Sequence, residues 1–239
     1  MLWHEGIVTS MLQESPTTLR IWVTVPAVAD IPFRPGQFVV MDLPISNKRL
    51  ERWRSYSIAN APTGGNVLEF CIAQNPQGNA SRYFFEEVTM GTTLRFKAPS
   101  GVFVLPLEIT TDLVMICTGT GVAPFRSMLH YIYNNCIPHK KIHLIFGTRY
   151  ASGILYQKEF EQLEKTHSSF RYDVVLSREE NSTYLKGYVQ DLYKKFYAPP
   201  RGDIHFYLCG WQQMIDASTL ILTKELRFAP SQIHAELYG

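Results

Sequence analysis

The sequence predicts a two-domain fold: an N-terminal antiparallel β-barrel over residues 1–107, then a C-terminal α/β domain with a parallel sheet over residues 108–239. Two rhythms carry this expectation. Up to Pro106 the apolar residues come in short runs punctuated by turn residues, as in antiparallel barrels and sandwiches. After Pro106 continuous apolar runs alternate with helical stripes, the pattern of a parallel sheet covered on both faces. The 239 residues, 46% hydrophobic and 18% charged, suffice for one large domain or two small ones.

In chain order, residues 18–25, 37–43, 67–72 and 93–96 read as short strands. Arg34-Pro35-Gly36, Pro62-Thr63-Gly64-Gly65 and Ala98-Pro99-Ser100-Gly101 break them. A helix is expected over residues 81–87. The boundary falls near residues 107–112, and residues 113–117 form the first doubly buried strand. Phe125, Met128, Leu129, Ile132 and Tyr133 then make one helical stripe. The unit repeats: strand 142–146 and a helix with Tyr156, Phe160 and Leu163; strand 172–176 and a helix with Val189, Leu192, Tyr193 and Phe196. Strand 204–209, a helix over 212–226 and a short strand 233–237 finish the chain.

Composition excludes several function classes. Lys+Arg 23 against Asp+Glu 21 gives a net charge of +2, no basis for nucleic-acid binding. No apolar run approaches the ~18 residues of a membrane span. The opening Met1-Leu2-Trp3-His4-Glu5-Gly6 has no signal-peptide pattern, so a cytoplasmic protein is expected, with a monomer as the default. Cys71, Cys117, Cys136 and Cys209 are too scattered for a Cys-x-x-Cys pair, so neither a metal nor a protein-bound iron–sulfur cluster is expected.

Three motifs carry chemistry. Arg54-Ser55-Tyr56-Ser57 alternates a cation, a ring and a hydroxyl on an extended segment; alone it reads equally as a strand with polar positions facing water. Gly78-Asn79-Ala80-Ser81 opens a helix, where free amides favour an anion; alone it reads more simply as an N-cap. Gly119-Thr120-Gly121-Val122-Ala123-Pro124 follows a buried strand and opens a helix, where glycines admit a pyrophosphate to the backbone. Pro124 stands where a Gly-x-Gly-x-x-Gly fingerprint has its third glycine, and the first turn of a helix tolerates it.

In order, Arg54-x-Tyr56-Ser57, Gly78-x-x-Ser81, Gly119-Thr120-Gly121-Val122-Ala123-Pro124, Cys209-Gly210 with Met214, and Glu236-Leu237-Tyr238 resemble the ferredoxin–NADP reductase family along essentially the whole chain. The resemblance implies an FAD-binding barrel followed by a domain for a nicotinamide dinucleotide. It implies Arg54 on the FAD pyrophosphate, Tyr56 stacked on the isoalloxazine and Ser57 near flavin N5. Gly78 and Ser81 would cradle the pyrophosphate, with Ile72 and Gln74 lining the flavin by their backbone. Thr118, Gly119, Thr120 and Gly121 would hold the dinucleotide, Cys209 and Glu236 would flank its nicotinamide, and Tyr238, followed by Gly239, would either cap the flavin or pack beside it. On their own residues, Cys209 reads equally as a small buried apolar group and Glu236 as a solvated charge. FMN in place of FAD stays open.

Residues 146–149 end in Arg149, where an NAD-type site carries an acid, and Ser177-Arg178 closes the next strand. With Lys186 as a further charge and Tyr188 for the adenine, this favours NADPH, with NADH as the alternative; Glu179 and Glu180 oppose a 2′-phosphate if they turn inward. The implied function is hydride transfer from NADPH to FAD with Ser57, Cys209 and Glu236 as catalytic residues, then single electrons to a ferredoxin or flavodoxin. Lys48, Arg49, Arg52 and Arg54 are candidates to dock that carrier. A flavin reductase or oxygenase reductase component is the second reading, and a non-catalytic flavin-binding regulatory module the third.

Overall fold

The computed structural model describes residues 2–180 and 182–238. The chain divides into two compact units, Met1–Leu105 with Ala123–Cys136, and Pro106–Val122 with Ile137–Gly239. No helix among the described residues is long and apolar enough to cross a membrane.

The first unit holds six antiparallel strands: β1 (Trp3–Ser15), β2 (Thr18–Thr24), β3 (Phe38–Asp42), β4 (Trp53–Ser57), β5 (Val67–Ala73) and β6 (Thr93–Lys97). Their order is β4-β3-β6-β1-β2-β5. The end strands meet: Ile58 bridges Phe70, and the Ala59 amide donates to the Glu69 carbonyl at 2.8 Å, so the sheet closes as a barrel and both edges are paired. Alternating Ile21 and Val23, Val39 and Met41, and Leu94 and Phe96 point inward to the core. Strand β1 is absent from the expected runs because most of its 13 residues are polar or exposed. Its Gly6 admits the Val23 side chain, which a Cβ would strike.

Three helices complete this unit. α1 is the single turn Arg49–Arg52. α2 (Asn79–Arg82) starts two residues ahead of the expected helix and widens into a π turn, Tyr83–Glu87, that buries Phe84 in the barrel. α3 (Ala123–Asn134) buries the stripe Phe125, Met128, Leu129 and Ile132, with Phe125 against Phe103 at 5.7 Å between ring centroids.

The second unit is a parallel sheet of β7 (Asp112–Thr118), β8 (Ile142–Thr148), β9 (Phe170–Leu176), β10 (Leu185–Lys186), β11 (Ile204–Trp211) and β12 (Ile233–Tyr238), in the order β10-β9-β8-β7-β11-β12. The two-residue β10 is too short to leave a pattern in sequence. α4 (Gln157–Thr166), α5 (Val189–Phe196) and α6 (Gln212–Leu220) connect the strands, and α6 ends in a π turn, Ile221–Glu225, where one longer helix was expected. Phe206 and Leu208 pack with Tyr193, Met214, Leu222 and Phe228 on one face. The chain steps outward from β7 to β10, then returns to β11 on the other side of β7. That reversal falls at the carboxyl ends of β7 and β11, the position where ligands bind in such sheets.

Candidate cofactor-binding sites

In the first unit, β4 presents the Arg-x-Tyr-Ser segment against β3, with Arg54 opposite Met41, Tyr56 opposite Val39 and Ser57 opposite Phe38. Ser57 is buried. The Tyr56 ring meets Phe84 edge-on at 5.3 Å, which joins this strand to the α2 segment. Burial holds the Tyr56 phenol protonated well beyond its ordinary range. Arg54 Nη1 donates to the Trp53 carbonyl at 2.8 Å, which orients the guanidinium.

Gly78 is the N-cap residue of α2, and the Arg82 amide makes the first bond back to it at 3.0 Å. The amides of Asn79, Ala80 and Ser81 therefore precede the helical ladder, as an anion site requires. Ser81 Oγ accepts from the Asn75 amide at 2.6 Å and Gly78 donates to the Asn75 carbonyl at 2.9 Å, so Ser81 shapes the loop around this helix start. Ile72 turns its side chain into the barrel core, and Gln74 donates its amide to Thr17 O at 2.7 Å. This donor set, a guanidinium with a helix start beside a half-buried ring and a buried hydroxyl, fits a flavin with a pyrophosphate.

In the second unit, the turn Thr118–Gly121 lies at the sheet reversal, at the end of β7. Gly119 has φ +54°, the left-handed region. Gly121 lies so close to the Cys209 carbonyl that a Cβ would strike it, and a Cβ on Gly210 would fall 2.5 Å from Thr118 Oγ1. Thr118 Oγ1 is buried and has no hydrogen-bond partner among the described residues. A buried hydroxyl left so has a hydrogen bond to offer a ligand at this turn. Thr120 stands in the same turn, half-buried.

Cys209 sits in register between Cys117 of β7 and Glu236 of β12, and Trp211 opposite Tyr238. The strand runs on to Trp211, so Cys209 is two positions inside its end. Burial, then the Glu236 charge, push the Cys209 thiol well above its ordinary range. It stays a thiol at neutral pH, a small packing group rather than a nucleophile.

The ends of β8 and β9 bring the backbones of Arg149, Ser177 and Arg178 together. The Ser177 amide donates to the Thr148 carbonyl at 2.9 Å and the Arg178 amide to the Arg149 carbonyl at 3.0 Å. Both arginines are exposed. Glu179 Oε2 accepts from the Ala151 amide at 2.6 Å, and Glu180 pairs with Lys186 at 2.8 Å. Lys186 is thus committed to Glu180 instead of standing as a spare cation. Tyr188 is the exposed N-cap residue of α5, and Val189 beside it closes on Gly147, where a Cβ would fall 2.8 Å from Val189 Cγ1 and 3.1 Å from Thr118 Cγ2. Gly147 and Gly210 were not among the expected site residues; a glycine closing a buried parallel strand is the signal for both.

The comparisons agree with both halves. Residues 5–105 match the oxidoreductase FAD-binding domain family and residues 115–219 the oxidoreductase NAD-binding domain family. Over 214 residues the chain is 30% identical to ferredoxin–NADP reductase B of Sorangium cellulosum, covering 86% of this chain and 85% of that protein. It is also 30% identical to the anthranilate 1,2-dioxygenase electron transfer component of Acinetobacter baylyi, where the match covers 88% of this chain but only 60% of that protein. The crystal structure of the Amycolatopsis cytochrome P450 reductase GcoB superposes with a TM-score of 0.88 at 26% identity, over 99% of this chain and 69% of that one. With an FAD-binding barrel domain and an NAD(P)-binding parallel sheet joined in this order, the chain belongs to the ferredoxin–NADP reductase family of flavoprotein oxidoreductases.

Proposed function

We propose that this enzyme moves hydride from NADPH to FAD and then passes electrons singly to a small carrier protein, a ferredoxin or flavodoxin. The observation that carries the reading is the Thr118–Gly121 turn at the sheet reversal. Gly119 is open there, with nothing within 4 Å of where a Cβ would stand, Gly121 packs on the Cys209 carbonyl, and Thr118 Oγ1 has no hydrogen-bond partner among the described residues. FAD, when bound, supplies the acceptor for the hydride pair and the outlet for single electrons.

The chain's own residues do the rest. Arg54 and the α2 start hold the pyrophosphate, Tyr56 stacks the ring, and Ser57 offers its hydroxyl on the reacting side. Thr118–Gly121 set the dinucleotide, and Cys209, neutral and small, leaves room for the nicotinamide while Glu236 steadies its charge. Arg149 and Arg178, with no ion-pair partner among the described residues, favour a 2′-phosphate, and Glu179 and Glu180 have partners of their own. Tyr188 stacks on the adenine, and Tyr238 packs beside the flavin.

For the carrier, Trp3 and Trp53 sit 5.9 Å apart, with Arg49 over Trp53 at 4.4 Å, Arg95 over Trp3 at 4.4 Å and Lys97 over Trp53 at 3.7 Å. Lys48 and Arg52 are ion-paired to Glu51 and Asp42. Five cations against three carboxylates, counting Glu5 in register with Arg95, leave this face net positive, complementary to an acidic, cytoplasmic carrier. Reduction of ferredoxin or flavodoxin that falls steeply with added salt supports the reading, and a rate indifferent to salt contradicts the docking.

The likeness to the dioxygenase component supports a second reading, a reductase for an oxygenase system. Turnover of such a partner, without reduction of ferredoxin or flavodoxin, distinguishes it.

A further inference from the structure

Helix α3 follows the Thr118–Gly121 turn without interruption, and its first turn carries a buried cation, Arg126. Arg126 Nη1 donates to Glu69 Oε2 at 2.9 Å and to the Ala59 carbonyl at 2.9 Å. The next residue, Ser127, donates its hydroxyl to the Asn60 carbonyl at 2.6 Å. Glu69 is itself held: Arg20 Nε donates to Oε1 at 2.7 Å, and Glu14 accepts from Arg20 Nη1 at 3.1 Å behind it. The Glu69 amide donates to Asn60 Oδ1 at 2.8 Å. The helix is thus bonded to two consecutive carbonyls, Ala59 and Asn60, and that segment begins two residues after Ser57.

Apolar side chains alone already pack α3 onto the barrel. A buried ion pair adds little stability over a well-packed apolar pair of the same volume, whereas directional bonds fix one rotation and one register. The expense of burying Glu69 and Arg126 therefore points to geometry. We propose that Arg126, held by Glu69, is a positioning residue for hydride transfer. It ties the helix behind the dinucleotide turn to the backbone that continues the Arg54-Tyr56-Ser57 strand. The proposal rests on the reductase reading above and names how that site is kept in register.

The test uses the FAD-loaded protein and three variants: Glu69→Leu with Arg126→Met, Arg126→Lys, and Glu14→Gln at the far end of the network. Stopped-flow reduction by saturating NADPH is measured alongside Tm, NADP+ affinity and backbone hydrogen exchange over residues 58–61 and 118–127. The double variant and Arg126→Lys should slow reduction roughly tenfold or more, the loss a small misplacement brings. Both should speed exchange in both segments, with NADP+ affinity within about twofold and the double variant's Tm near wild type. Glu14→Gln should match wild type. If the double variant fails to fold, Arg126→Lys decides. Wild-type reduction rates and exchange in the variants overturn the proposal alone. A wild type that neither NADPH nor NADH reduces overturns the reductase reading and the proposal with it.

Discussion

Gly121→Ala isolates the dinucleotide turn from everything else in the molecule. A Cβ at this position strikes the Cys209 carbonyl oxygen and lies 2.8 Å from the Cys209 carbonyl carbon and 3.1 Å from Gly210 Cα. These are backbone atoms of a strand paired on both sides, with β7 and β12, so no flexible side-chain end can give way. The turn must lift instead, and overpacking of this kind costs about 1–3 kcal/mol. For a chain of this size each kcal/mol lowers Tm by roughly 2–4 °C. Gly119→Ala has nothing within 4 Å of its Cβ but must hold φ +54°. Its cost, about 1–2 kcal/mol, is strain without collision, and Asn should recover part of it. The assay pairs thermal melting with calorimetric titration of NADP+ and a count of bound flavin. Gly121→Ala should lose NADP+ affinity roughly tenfold or more, the equivalent of about 1.4 kcal/mol, and keep its full FAD content. A variant that melts with wild type and binds NADP+ equally well would refute the close approach to Cys209.

Three further outcomes follow. Arg149→Gln and Arg178→Gln should each weaken NADPH binding about 10- to 100-fold, as loss of a charged hydrogen bond does, and leave NADH unchanged; equal losses for both nucleotides would exclude a 2′-phosphate contact. Exposed Cys136 should react quickly with iodoacetamide, while buried Cys117 and Cys209, whose thiols burial holds protonated, should react only on unfolding; rapid labelling of Cys209 would contradict its role as a neutral packing group. His143 is fixed between Asp173 at 2.8 Å and the Tyr197 hydroxyl at 2.6 Å, and burial lowers its pKa below the ordinary 6.5 despite the Asp173 partner. The unfolded chain then binds the proton first, so stability falls as pH drops below about 6.5 and keeps falling through the folded value. His143→Gln should flatten that decline between about pH 7 and pH 5.5 in urea titrations, and an unchanged slope would assign the acid sensitivity elsewhere.

Strands and helices with strong periodicity were legible in sequence, and so were the glycine turn and the ordered motifs that carry the family resemblance. Strand β1 was not, because a barrel strand with one narrow buried line and a glycine at a close crossing has no apolar run to announce it. The Glu69–Arg126 pair was hidden for another reason. Glu69 reads as the one polar position of an apolar strand and Arg126 as the wet side of a helix, and only the fold brings together residues 57 positions apart. Lys186 illustrates the converse: its charge is visible in sequence, but its commitment to Glu180 across a short loop is not.

The most direct measurement is anaerobic titration of the purified protein, reconstituted with FAD, against NADPH and against NADH, followed in the flavin's visible absorbance. The account predicts a yellow protein that bleaches with NADPH, faster and at lower nucleotide concentration than with NADH. A flavin that stays oxidised with both would contradict it.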